Sequence, residues 1–301
     1  MKDTGPILVP LDGSETAEAA LPYAAALARG LSAALVLVTA WEGTESELGA
    51  GFPAMALEIE QNARTYFTEY LDGIKSRLKD VNVETMIRSG RADEQILVAV
   101  TESRARLLVV ATHGRSGIGR WMYGSIAGRM LHDAPVPVVA VGPRALEKAA
   151  SDVRIAHLMV PLDGSELAEA ALPVARALAA KLGARITLAR VVRWAADAYP
   201  YALPGAYLPQ VDEELEAGAK AYLKRRQDAI TDATADAFVV RGAVADGLIE
   251  FAEKQDIDMI VMTTHARGGI IRAALGSIAD RMLHAPVPVL MVRPEMQEDR
   301  R

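Results

Sequence analysis

Val9-Pro-Leu-Asp-Gly-Ser-Glu-Thr-Ala-Glu-Ala-Ala-Leu-Pro22 returns 151 residues later as Val160-Pro-Leu-Asp-Gly-Ser-Glu-Leu-Ala-Glu-Ala-Ala-Leu-Pro173, with the single change of Thr16 to Leu167. Gly124-Ser-Ile-Ala-Gly-Arg-Met-Leu-His132 likewise returns as Gly276-Ser-Ile-Ala-Asp-Arg-Met-Leu-His284, and Ala134-Pro-Val-Pro-Val138 as Ala285-Pro-Val-Pro-Val289. A period this long exceeds any solenoid repeat and marks a duplicated domain. The 301 residues then divide into domains at 1–144 and 154–295, joined by a polar linker at 145–153. Each half is long enough to bury its own core.

Working outward from the repeated stretch, each half reads as alternating strands and helices. Ile7 to Leu11 is a short apolar run stopped by Asp12-Gly13, which predicts a buried strand. Ser14 to Arg29 has helical periodicity, with Asp12 or Ser14 placed to cap it. Further strands are expected at 34–40, 82–87, 107–111 and 136–141, and helices at 54–79, 92–103 and from about Ser125. The second half repeats the order, with strands near 157–162, 185–192, 236–241, 257–263 and 287–292.

Strands that are apolar on both faces and alternate with helices imply an α/β fold. Each domain should hold a five-stranded, mostly parallel sheet with helices on both faces. Right-handed crossovers place the ends of strands one and four beside a common crevice. Pro22 and Pro173 fall inside the predicted first helices, so a kink or a short first segment is expected there.

Composition narrows the function classes. The net charge of −6 supplies no broad counter-charge to a nucleic acid backbone or an anionic membrane. There is no cysteine, which excludes disulfides, thiol catalysis and cysteine-ligated metal. The N-terminus, with Asp3, Asp12 and Glu15, does not read as a signal peptide, and the apolar runs are far short of a membrane span. A cytoplasmic location is the expectation.

The chemistry should sit after the fourth strand, in Val109-Val-Ala-Thr-His-Gly-Arg-Ser-Gly-Ile-Gly-Arg-Trp-Met-Tyr-Gly-Ser-Ile-Ala127. Glycines let a backbone approach a ligand closely. The N–H groups of Ser125 and Ile126 open a helix, where anions are favoured, and Ser125 adds a hydroxyl. Arg115 and Arg120 could add positive charge. The spacing is not a P-loop, and no Gly-x-Gly-x-x-Gly follows the first strand.

These residues resemble the ATP-binding members of the universal stress protein family, known for a Gly-x2-Gly-x9-Gly-Ser/Thr signature after strand four. Gly114, nine intervening residues and Gly124-Ser125 match its latter part, while Ala111 replaces the first glycine. The resemblance implies a Rossmann-like fold of the adenine nucleotide alpha hydrolase-like kind, an aspartate at the adenosine end of the site, matched by Asp12, and a small residue lining the adenine pocket, matched by Ala40. It implies a site drawn from Pro10, Asp12, Ala40, Ala111, Gly114, Arg115, Gly124, Ser125 and Ile126, repeated at Pro161, Asp163, Val191, Gly276, Ser277 and Ile278. In the second copy Thr263 and Ala266 stand in place of Ala111 and Gly114. An alanine where φ > 0 is needed costs on the order of 1 kcal/mol, so the first domain is expected to be the better site.

Each feature also has a plainer role. Asp12 and Asp163 can serve as helix caps, and Gly124-Ser125 and Gly276-Ser277 as a turn and a cap. His113, His265, His132, His284 and His157 lack metal-ligand spacing and read as structural. Ser14 and Ser165 lie in no nucleophile elbow. The dissimilar segments 41–54 and 194–210 suit lids, partner surfaces or plain loops. Prolines at the starts of the last strands mark edge strands. Family members commonly dimerise there, which implies an intrachain pseudo-dimer and admits a further homodimer.

Two functions follow. One is an ATP-binding stress sensor or regulator, with Mg2+ bridging the phosphates and at most weak hydrolysis, because no base or Walker-type lysine is evident. The other is a nucleotide-independent scaffold for protein partners.

Overall fold

A computed structural model describes residues 4–42, 53–112, 124–148, 152–193, 209–263 and 276–294. The chain divides into two compact units, residues 1–153 and 154–301. The first comprises β1 (Ile7–Pro10), α1 (Glu15–Glu18), α2 (Leu21–Leu31), β2 (Leu35–Trp41), α3 (Pro53–Arg77), β3 (Val83–Ser89), α4 (Ala92–Glu102), β4 (Leu107–Ala111), α5 (Ser125–Asp133), β5 (Val138–Val141) and α6 (Pro143–Lys148). Its strands run in the order β3-β2-β1-β4-β5, and their pairings are parallel.

The second unit repeats this with β6 (His157–Pro161), α7 (Glu166–Glu169), α8 (Leu172–Leu182), β7 (Arg185–Val192), α9 (Pro209–Asp228), β8 (Ala235–Arg241), α10 (Val244–Lys254), β9 (Met259–Thr263), α11 (Ser277–Met282) and β10 (Val289–Val292). Its order is β10-β9-β6-β7-β8, again parallel. In both units the chain winds outward in two directions from the pair formed by the first and fourth strands. That reversal opens a crevice at their carboxyl ends.

Burial explains the apolar runs. Ile7, Leu8 and Val9 are fully buried, as are Leu107, Leu108 and Val109, so side chains on both faces of these strands meet other side chains rather than water. Leu158, Met159 and Val160 do the same in the second unit. The last strands start at Val138 and Val289, two residues later than the apolar pattern suggests. Pro137 and Pro288 have no N–H for the ladder and contribute only carbonyls, accepting from Leu108 and Ile260.

The first helix of each unit breaks as its proline requires. Four residues form α1, and α2 then starts afresh with Pro22 in its first turn, where a missing N–H leaves no hydrogen bond unmade. Pro173 does the same in α8. Residues 145–148 of the expected linker lie in α6, which starts at Pro143. Ala145 is fully buried there, and its carbonyl accepts from the Tyr23 hydroxyl at 2.8 Å. Among the described residues no helix is long and apolar enough to cross a membrane.

Candidate crevice site

The turn after β1 is built by three consecutive residues. Gly13 adopts φ +81°, which admits a tight reversal at no side-chain cost. The Asp12 carboxylate accepts from the Ser14 N–H at 3.0 Å and from the Ser14 hydroxyl at 2.6 Å. Ser14 Oγ in turn accepts from the Ala17 N–H at 3.1 Å and caps α1. The second unit copies the device: Gly164 has φ +91°, Asp163 accepts from Ser165 at 2.9 and 2.5 Å, and Ser165 Oγ accepts from Ala168 at 3.2 Å. The capping role read for these residues is therefore present, with Ser14 as the cap and Asp12 holding it. Both aspartates remain exposed at the mouth of the crevice.

The start of α5 is built differently. Gly124 is its N-cap, tied to the residue after β4 through its N–H to the Thr112 carbonyl at 2.9 Å, and among the described residues no side chain caps the helix. The N–H groups of the first helical turn have no acceptor within the helix, so they face the crevice with the positive end of its dipole. In the second unit Gly276 is set at φ −57°, ψ 146°, matching Gly124 at −57°, 145°, but α11 is only six residues long against nine in α5.

These pieces meet around a cavity of about 220 Å³ in the first unit. Pro10, Asp12, Ala40, Ala111, Gly124, Ser125 and Ile126 all line it. Gly114 and Arg115 lie outside the described residues. The corresponding cavity of the second unit is larger, about 320 Å³, and is lined by Pro161, Asp163, Val191, Gly276 and Ile278. Ser277 stands at the start of α11, exposed, and is not part of that wall.

Several wall residues were not singled out from the sequence. Ala17, Val38, Ala92, Ile96, Val110 and Ala127 complete the first cavity; Leu167, Val244, Leu248 and Met262 help to close the second. A second omission is a tyrosine–glutamate pair behind the turn. The Tyr222 hydroxyl donates to Glu169 at 2.8 Å, which ties α9 to α7. Burial first, and then Glu169, pushes the Tyr222 pKa up to about 12. Tyr70 and Glu18 occupy the same positions in the first unit, where burial and the Glu18 carboxylate again raise the tyrosine. The recurrence of Tyr and Glu at the repeat offset was the available signal.

Charges around the two sites differ. In the first unit Arg129 of α5 bonds Asp93 of α4 and reaches Asp133 at 3.2 Å. Arg91 and Arg129 together hold the Asp93 carboxyl below its usual range. In the second unit Arg281 pairs with Asp246. There, too, Arg190 lies over the Tyr222 ring at 4.8 Å and stands where a side chain at position 164 would go, while β2 has Thr39 at the equivalent position. Among the described residues no three His, Asp or Glu side chains cluster as a metal site.

A sequence profile of the universal stress protein family matches residues 4–142 and again residues 155–293. Over 298 residues the chain is 29% identical to a universal stress protein of Mycolicibacterium smegmatis, covering 96% of this chain and 97% of the relative. A universal stress protein of Methanocaldococcus jannaschii is 32% identical over 146 residues, 47% of this chain and 84% of its own length. The crystal structure of a universal stress protein from Archaeoglobus fulgidus superposes with a TM-score of 0.66 at 18% identity, covering 96% of both chains, and so shares the fold.

Proposed function

From a chain that belongs to the universal stress protein family through both of its halves, we propose a stress-response sensor or regulator that binds ATP, with the first unit as the better site. The observation that carries this reading is the meeting of a helix start, uncapped by any described side chain, with the Asp12 turn and the small Ala40 around one cavity.

The nucleotide supplies phosphate charge, and Mg2+ bound to those phosphates supplies a divalent bridge; the protein offers no cation cage of its own among the described residues. Gly124 presents no side chain to keep a phosphate from the amides of Ser125 and Ile126, and the Ser125 hydroxyl donates beside them. Asp12, already oriented by Ser14, accepts from the sugar end. Ala40 leaves room for a flat ring.

The same wall explains why binding rather than turnover is proposed. Asp12 is the one titratable side chain among the described lining residues, and its carboxylate is already tied to Ser14. A hydrolase needs a base within reach of an attacking water.

Mass spectrometry of small molecules released from the purified protein tests the reading. ATP is expected from the wild type and absent from Gly124→Asp. A protein free of nucleotide, with no heat on titration with millimolar ATP and Mg2+, would favour a scaffold that binds protein partners through its loops.

A further inference from the structure

The second unit holds a buried histidine that the proposed nucleotide site does not use. His157 opens β6 with only 4% of its surface exposed. Its Nδ1 lies 2.9 Å from an Arg185 guanidinium nitrogen, and its Nε2 lies 2.8 Å from Thr187 Oγ1. A guanidinium can only donate, so Nδ1 must be an unprotonated acceptor and the ring proton sits on Nε2. The ring is therefore neutral, locked in one tautomer between two residues of β7.

Three groups act the other way: the backbone carbonyls of Gln255 and Asp256, at the turn that follows α10, and the Asp258 carboxylate favour the charged form of the ring. Asp256 adopts φ +48°, an unusual conformation for a non-glycine residue. Asp258 already accepts from the N–H groups of Ala156 and His157, at 2.8 and 2.9 Å. Arg185 itself is exposed.

We propose that His157 is an acid-sensitive latch of the second unit: protonation removes the acceptor at Nδ1, expels Arg185, and loosens the β6–β7 pairing. The first unit has no such latch. Pro6 stands at the equivalent position and accepts from the Arg106 N–H at 2.9 Å, as the His157 carbonyl accepts from Asp258 at 2.9 Å, so the backbone frame is shared and only the titrating ring differs.

The direction of the pH effect follows. Burial, and then Arg185, lower the His157 pKa below the ordinary imidazole value, outweighing the Asp256 and Gln255 carbonyls and Asp258. The unfolded chain then binds this proton more readily than the native one. Stability of the second unit is full above about pH 6.5, falls as pH drops toward the native value, and levels off below it. The loss is about tenfold in the folding constant for each pH unit in that window.

The test uses the full-length chain without added nucleotide. NMR of the imidazole protons at five histidines should show His157 neutral and protonated on Nε2 well below about pH 6.5. Hydrogen exchange at about pH 7.5 and about pH 5, corrected for intrinsic rates, should show β6 and β7 losing protection while β1 and β2 keep theirs. His157→Gln should abolish that pH dependence. If His157→Gln fails to fold, Arg185→Gln should raise the His157 titration toward the ordinary value and shrink the effect. A native His157 that titrates with the ordinary value, or equal loss of protection in both units, would overturn the latch.

Discussion

The two units share a strand order, a capped Asp-Gly-Ser turn and a glycine N-cap, yet differ where a phosphate would be held. In the first, α5 runs nine residues to Asp133, whose carboxylate bonds His132 at 2.6 Å and Arg129 at 3.2 Å. His132 and then Arg129 hold Asp133 below the usual carboxylate range. The second unit lacks a counterpart of Asp133, since His284 is followed at once by Ala285. Its helix closes early, with Leu283, His284 and Ala285 donating back three residues to Asp280, Arg281 and Met282. The lesson is that one missing residue at the far end goes with a helix three residues shorter, while the glycine N-cap keeps the same conformation. If ATP binds as proposed, the larger cavity of the second unit should not compensate for this, because phosphate affinity comes from aligned amides more than from volume.

Substitutions that exchange features between the units sharpen the contrast. Gly124→Asp should have the largest effect. An aspartate at this N-cap would take the first-turn amides for itself and repel phosphate, weakening ATP by about a hundredfold, roughly 3 kcal/mol. The helix would gain its own cap, so melting temperature should hold or rise while calorimetric affinity collapses. Gly276→Asp should leave the measured affinity of the tight site unchanged.

Ala40→Val imports the residue of the second unit, Val191, into the smaller cavity. Two added methyl groups should weaken ATP about tenfold by calorimetry, with little loss of stability. Ser14→Ala and Ser165→Ala remove equivalent caps and should each cost about 1 kcal/mol in denaturant unfolding. A marked inequality between them would show that the two turns are not equivalent. The smallest effect is expected from Ser32→Gly. Ser32 ends α2 at φ 49°, where the second unit has Gly183 at φ 63° with open space around it. Relief of the left-handed strain should add about 0.5–1 kcal/mol, read as a higher denaturation midpoint.

Much of this was legible in the sequence because the governing forces are local or repetitive. The duplicated Val-Pro-Leu-Asp-Gly-Ser segment carries strand end, turn and cap in consecutive residues, and Pro22 announces the break between α1 and α2 by lacking an N–H. Pro10, Asp12, Ala40, Ala111 and Gly124 could be grouped because their motif resembles that of a known family, and a parallel sheet does bring these strand ends to one edge. The rest depends on distant packing. Ala92 and Ile96 reach the cavity from the inner face of α4, and their apolar pattern is indistinguishable from any core helix. Tyr222 meets Glu169 across 53 residues, a pairing that no local spacing announces. His157, read as structural for want of metal-ligand spacing, is set apart only by the ring's neighbours, Arg185 and Thr187, on the adjoining strand.

The most direct test is the stoichiometry of ATP with Mg2+, titrated calorimetrically into the full-length chain after any bound nucleotide is removed. One tight site per chain is expected, lost in Gly124→Asp and retained in Gly276→Asp. Two equal tight sites, or a tight site that survives Gly124→Asp, would contradict the assignment of nucleotide binding to the first unit.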